Sequence, residues 1–218
     1  MTGAYRNFFN FIFDDDQPVE SVLELGSRDA LDAIRLADRF GCQVIAWECN
    51  PEAIELCKKH IGDREDVLLV EKAVWSESGE LDFHPVVNGN LGASSCFKAN
   101  HDYPYEKPYE QVEITVEAKR VDEWFEENDK PTPTLVCMDL QGAEIEALKS
   151  MGDMLHEIDY IITEGQWQRL YHDTPLIEDI AEHLKPYGFE QVGHRKVNDW
   201  FGDFMFRRVY PPMNVQNQ

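Results

Sequence analysis

Short apolar runs alternating with helical stretches constrain this chain more than any other feature. "SVLEL", "CQVIAW", "VLLV", "TLVCM" and "YIIT" are strand-sized and almost continuously apolar. Most of them lead into segments whose apolar residues fall at helical spacing. One such helix runs from about Arg28 to Phe40 and stops at Gly41. Another starts at an Asn50–Pro51 cap and ends at Gly62. Strands buried on both faces read this way, and a strand–helix repeat builds a mostly parallel, doubly wound α/β sheet with helices on both sides. Ligands of such sheets sit beyond the carboxyl ends of the strands, at the switch point, so the residues just after each run carry the functional information.

The rest of the chain fits around this frame. "DVLLVEKAVW" reads as one strand, followed by a hairpin turning at Gly79. Residues from about Asn88 to Pro108 read as a long loop, of the kind that is functional when it occurs in a compact domain. "QVEITVEAKRV" alternates like a strand, and the runs around "YGFEQVG" and "DFMFRRV" form a terminal hairpin that adds an antiparallel edge. We therefore expect a docking segment at residues 1–20, one domain at 21–210 with a loop and hairpin insertion at about 76–118, and a frayed tail at 211–218. The aromatic stretch "FFNFIF" offers either a core cover or a contact for a second copy of the chain.

Charge and cysteines narrow the classes. Among 218 residues, 42 are acidic and 20 basic, giving a formal charge of −22. With no basic cluster to offset it, such a surface repels a phosphate backbone, so nucleic acid is not the expected partner. No apolar run approaches the length of a membrane span. Five cysteines without a CxxC pair argue against a disulfide framework or a zinc ribbon and fit a reducing cytoplasm.

The strand ends carry the chemistry. Gly26 ends the first run and lets the backbone approach a ligand, although one glycine by itself makes only a turn, with Ser27 available as a helix cap. Glu48, 22 residues later, stands where an acid accepts ribose hydroxyls. Ala73 and Val74 either flank an adenine ring or belong to the core. Asp139 directly follows an apolar run, an awkward place for a charge unless a polar pocket lies there. Glu164 occupies the same kind of position. Together they suit acid–base work or, as the lesser alternative, a divalent cation, with His172 near enough in sequence to join them. Glu144 reads as an acid that favours a helix N-terminus. Tyr103, Tyr105, Tyr109, Trp167 and Trp200 offer faces for a sugar ring, with Tyr105 and Trp167 preferred.

The segments "VLELGSRDALDA", "VIAWECNP", "EKAVWSESGELDF", "GASSC", "VCMDLQGAEIEALKSMG" and "GDFMFRR" together resemble the FkbM family of S-adenosylmethionine-dependent methyltransferases. The resemblance runs from about Val22 to Arg208. It implies a seven-stranded Rossmann-like sheet whose last strand is antiparallel, and O-methylation of sugars or related small molecules. It places Glu24, Gly26 and Glu48 at S-adenosylmethionine, Ser94 and Ser95 near the cofactor or acceptor, and Asp139 near the reacting centre. Ser27 and Cys49, beside Gly26 and Glu48, are added to the cofactor set. Arg28–Asp29 stand where many methyltransferases carry further glycines, and Arg28 is a candidate partner for the methionine carboxylate. "DLQG" lacks the Pro-Pro-aromatic stretch of amino methyltransferases, and no cysteine follows proline as cytosine C5 methylation requires. The remaining alternatives are a non-catalytic scaffold of the same fold and an NAD-dependent oxidoreductase.

Overall fold

The computed structural model describes residues 4–9, 12, 18–100 and 109–209. Its first half builds outward from β1 (Ser21–Leu25) through α1 (Leu31–Phe40), β2 (Gln43–Trp47), α2 (Pro51–Ile61) and β3 (Val67–Val70). The chain returns to the other side of β1 with β9 (Leu135–Met138), α4 (Glu144–Met151), β10 (Tyr160–Gln166), α5 (Ile177–Leu184), β11 (Phe189–Lys196) and β12 (Phe201–Arg208). The seven-stranded sheet has the order β3-β2-β1-β9-β10-β12-β11, with β12 antiparallel to both its neighbours. The antiparallel strand is therefore second from the edge, and β11 is the edge itself. The order reverses between β1 and β9, which makes their carboxyl ends the switch point.

Between the two halves lies the inserted segment. The expected single strand at 66–75 is two strands: β3 in the main sheet and β4 (Ala73–Val74) in a second one. Glu71 and Lys72 separate them, and Lys72 pairs with Glu117 on β8 (Ile114–Lys119), drawing the chain off the main sheet. The expected hairpin at Gly79 is likewise corrected. β4 and β5 (Gly79–Phe83) do not pair with each other but flank β8, parallel and antiparallel respectively. β6 (Val86–Asn88) and β7 (Glu110–Gln111) make a further small ladder, and α3 (Val121–Glu127) leads back to β9.

Strand alternation divides the core in two. Leu23, Leu25, Val136, Met138, Ile161, Phe204 and Phe206 face α3, α4 and α5. Val22, Leu135, Cys137, Tyr160, Ile162 and Met205 face α1 and α2. The described N-terminal residues belong to the second face: Tyr5, Phe8 and Ile12 are buried there, and Phe9 packs edge-on against Phe40. These aromatic side chains cover the core of their own chain. Among the described residues no helix is long and apolar enough to cross a membrane.

At the switch point two backbones nearly touch. Gly26 has φ +85°, and a Cβ built on it would lie 2.2 Å from the carbonyl oxygen of Asp139. Its amide donates to the Trp47 carbonyl at 3.0 Å, and the Asp139 amide donates to the Leu25 carbonyl at 3.1 Å, so neither strand can yield. Gly26→Ala is expected to destabilise the fold by about 2–4 kcal/mol, from left-handed strain plus overpacking. A urea midpoint equal to that of the parent chain would contradict this account.

Candidate active site

Two clefts open at the carboxyl ends of β1 and β9 and meet over Gly26, Arg28, Gly92, Asp139 and Gln141. The first has an apolar slot formed by Ala73, Val74, Phe83 and Leu91, with Glu48, Cys49 and Ser94 on its walls. The second is lined by Glu24, Ser27, Asp32 and Glu164, together with Tyr5, Tyr109 and Phe201.

The loop after β1 has no further glycine, yet it turns as sharply as if it had. Arg28 and Ala30 both adopt left-handed backbone, with φ of 53° and 57°. Side chains hold the strained turn in place. Glu48 accepts the Arg28 amide through Oε2 at 2.7 Å, and the Cys49 and Asn50 amides through Oε1 at 2.9 and 2.8 Å. Asp29 accepts the Leu31 amide at 3.2 Å, supplying the cap for α1 that Ser27 was a candidate to provide. Ser27 instead donates its hydroxyl to Glu24. The Arg28 guanidinium lies 3.5 Å from Asp29, and its stem passes over Gly92, where a Cβ would come within 3.1 Å of Cδ.

A common parity gathers the acids. Glu24, Asp139 and Glu164 each sit an even number of residues from Val22, Cys137 and Ile162, so they share the α1–α2 face of the sheet. Asp203 pairs in register with Glu164 and joins them from β12. Crowding and burial disfavour their ionised forms. Burial pushes the Glu24 carboxyl up to about 8. Burial, then Asp139, then Glu144 and Asp203, raise Glu164 well above the usual carboxylate range. Asp139 is raised by burial and held back by a hydrogen bond from Gln141 and by Arg28. Asp203 is pushed up to about 6 by burial and by Asp139, and its Oδ2 has no hydrogen-bond partner, with the Arg195 guanidinium 3.6 Å away. Glu144 turns inward and braces the loop that precedes its helix, accepting the Leu140 and Gly142 amides at 3.0 and 3.3 Å.

Several expected residues lie elsewhere. Trp167 stands an odd number of residues beyond Glu164 and so falls on the opposite face. There it packs edge-on against Phe204 at 5.3 Å and lines a separate hollow. His172 is exposed and lines neither cleft. Ser95 is buried behind the wall, donating to the Gln141 carbonyl at 2.8 Å, while its neighbour Ser94 lines the first cleft. Tyr103 and Tyr105 fall outside the described residues. Among the described residues no three His, Cys, Asp or Glu side chains form a group that could hold a metal ion. The sequence reading missed Gln141, Tyr171 and Asp203. Strand parity in "GDFMF" points to Asp203, whereas Gln141 and Tyr171 meet only through the fold.

The model of the Methyltransferase FkbM domain matches residues 24–191. The chain belongs to the FkbM methyltransferase family. Among FkbM-like relatives, it is 30% identical over 202 residues to the 2-O-methyltransferase NoeI of Sinorhizobium fredii, a match spanning 89% of this chain and 82% of that protein. It is 28% identical over 123 residues to the hexuronic acid methyltransferase AglP of Haloferax volcanii, covering 56% of this chain and 46% of that protein. In fold it is similar to the precorrin-6y C5,15-methyltransferase of Geobacter metallireducens, with a TM-score of 0.53 at 12% identity over 96% of this chain and 90% of the other. A methyltransferase of Pyrococcus furiosus gives 0.50 at 15% identity, over 96% and 85%.

The buried acids make a pH signature for this FkbM-family site. A carboxyl held at about 8 in the fold, against 4.5 ordinarily, keeps its proton while the unfolded chain loses it. Stability associated with Glu24 is therefore present below about pH 4.5 and lost as pH rises to 8 and beyond, by on the order of a few kcal/mol. Glu24→Gln is expected to lose correspondingly less stability between pH 5 and pH 8. Urea unfolding of both proteins at the two pH values measures the difference, and parallel losses would refute the assignment.

Proposed function

We propose that this protein transfers the methyl group of S-adenosylmethionine to a hydroxyl of a neutral sugar or a closely related small molecule. The observation that carries the reading is the place of Asp139: it stands where a cleft with an apolar slot and a polar cleft lined by carboxyl groups join.

The residues present fit the cofactor. The first cleft lies beyond the carboxyl ends of the strands, where ligands of such sheets sit. Its apolar slot suits adenine, and buried Glu48 at the end of β2 suits the ribose hydroxyls. Arg28 offers a guanidinium for the methionine carboxylate, and the carboxyl oxygens of Glu24 and Asp139 offer acceptors for its ammonium, whose charge would favour their ionised forms. When bound, the sulfonium supplies an electrophilic methyl carbon and a neutral thioether leaving group.

The chain's own contribution is alignment and proton removal. Holding the acceptor hydroxyl and the donor in a shared, bounded space is worth roughly 7–11 kcal/mol of barrier. Asp139 is placed to take the hydroxyl proton as the oxygen attacks, an effect of about 10²–10⁴-fold, with Glu164 on the neighbouring strand as the second acceptor. Raised carboxyl pKa values suit that task, because a base too acidic has little pull on a sugar hydroxyl.

The second cleft also argues for an uncharged acceptor. Among the described residues it presents four acids, Glu24, Asp32, Asp139 and Glu164, against the single guanidinium of Arg28. A site that already disfavours ionisation of its own carboxyl groups, by burial and by their crowding, disfavours a substrate carboxylate or phosphate for the same reasons. The 2-O-methyltransferase NoeI supports transfer to oxygen and the hexuronic acid methyltransferase AglP supports a sugar acceptor, while the acid lining favours a neutral sugar over the uronic acid that AglP's name specifies.

Asp139→Asn is expected to bind S-adenosylmethionine within a few-fold of the parent by calorimetry and to lower methyl transfer by about 10²–10⁴-fold. Unchanged turnover would remove Asp139 as the base. In a tritiated-methyl screen, neutral methyl hexosides and deoxyhexosides should be labelled at least about tenfold faster than hexuronates, the size of a single unfavourable charge contact. Faster labelling of hexuronates would overturn the neutral-acceptor reading. Absence of S-adenosylmethionine binding would instead favour the scaffold alternative, and binding of a nicotinamide dinucleotide in its place the oxidoreductase.

A further inference from the structure

Gln141 occupies an unusual position for a residue on a turn. It follows Asp139 by two, adopts left-handed backbone with φ 53°, and has its carbonyl held by the Ser95 hydroxyl at 2.8 Å. Its side-chain amide nitrogen donates both to Asp139 Oδ1 and, at 2.9 Å, to Glu164 Oε1. Its amide oxygen lies 2.6 Å from the hydroxyl of Tyr171, a fully buried side chain that also reaches the Ala93 carbonyl at 3.0 Å. Gln141 lines both clefts at their junction.

A carboxamide has two N–H donors on one end and only acceptor capacity on the other. The Tyr171 hydroxyl has one proton to give, and the shorter of its two contacts, at 2.6 Å, assigns it to the Gln141 oxygen over the Ala93 carbonyl, which leaves both N–H groups facing the two acids. Two carboxylates at adjacent strand ends repel each other when ionised, and a neutral double donor between them lets each keep a fixed orientation. Hydrogen bonds to the ionised form also favour it, so the amide pulls both carboxyl groups back toward the ordinary range against the burial that raises them.

We propose that Gln141 is the positioning residue of this site, holding Asp139 and Glu164 as two separately oriented proton acceptors, and that the Tyr171 hydroxyl fixes Gln141 in turn. Its role in turnover rests on the methyl-transfer reading above, whereas its hold on the two acids does not. Other titratable or charged groups face the pair from the neighbouring elements: Tyr5 on the N-terminal turn, Glu24 on β1, Arg28 after it, Asp32 on α1, Glu144 on α4 and Asp203 on β12. They are unchanged in the variants that test the proposal, so a change in titration reports the amide.

The test titrates the carboxyl groups directly, by ¹³C NMR of the intact protein labelled at Asp and Glu side chains. Gln141→Leu is expected to raise the midpoint of Asp139 by about one pH unit, as loss of one good hydrogen bond to a carboxylate does. Tyr171→Phe, which removes one oxygen and keeps the ring packed, should move it in the same direction by less, and covers the case in which the Leu variant fails to fold. With whichever methyl hexoside the parent protein labels, both variants should show a lower kcat and an acid limb displaced to higher pH. The KM for S-adenosylmethionine should stay within about twofold, since the amide acts on the acids and not on the cofactor. Midpoints and acid limb unmoved in a folded variant would overturn the proposal. If the parent protein labels no hexoside, the sugar reading fails by itself, and the NMR midpoints decide whether Gln141 holds the acids.

Discussion

The close approach of two backbones at Gly26 and Asp139 governs the site. With no room for a Cβ between them, the loops after β1 and β9 are locked edge to edge. Everything that follows each strand then diverges from that seam. Arg28 and Glu48 lie on one side of it, Gln141 and Glu164 on the other, and the two clefts share it as a common wall. The missing glycines of the first loop are made good by carboxylates. Glu48 and Asp29 accept the amides that a strained, left-handed turn would otherwise leave without partners.

Strand parity supplies the second rule. A sheet covered on both faces admits charge only at strand ends, and period-two alternation decides which face that charge joins. Glu24, Asp139, Glu164 and Asp203 all fall on the α1–α2 face, so four acids from four strands converge without any being adjacent in sequence. Trp167, at odd spacing from Glu164, is carried to the other face and spent on Phe204. An aromatic residue near a catalytic acid in sequence can thus lie across the sheet from it.

These two rules also explain what the amino-acid sequence revealed. Continuous apolar runs disclosed the sheet, its helices and the switch point, and Gly26, Glu48 and Asp139 stood out because glycine and acid are out of place at the end of such a run. β4 escaped because two charged residues, Glu71 and Lys72, looked like an interruption within one strand instead of a departure to a second sheet. Asp203 lies inside the landmark "GDFMFRR", where alternation with the buried Phe204 and Phe206 marks it for the opposite face, but it stands within a strand and so outside a search for acids just after the strands. Gln141 and Tyr171 were not readable at all. Thirty residues separate them, and their meeting depends on how the loop after β10 folds back over the loop after β9.

The short helical turn at Ala4–Phe8 ties one wall of the site to the far side of the sheet. Tyr5 lines the second cleft, and Tyr5 and Phe8 belong to the same core cluster as Tyr160 and Met205. The turn is in contact with β12, the strand that also brings Asp203 beside Glu164. A change in how β12 packs is therefore felt twice at the acid-lined cleft, through Asp203 and through Tyr5.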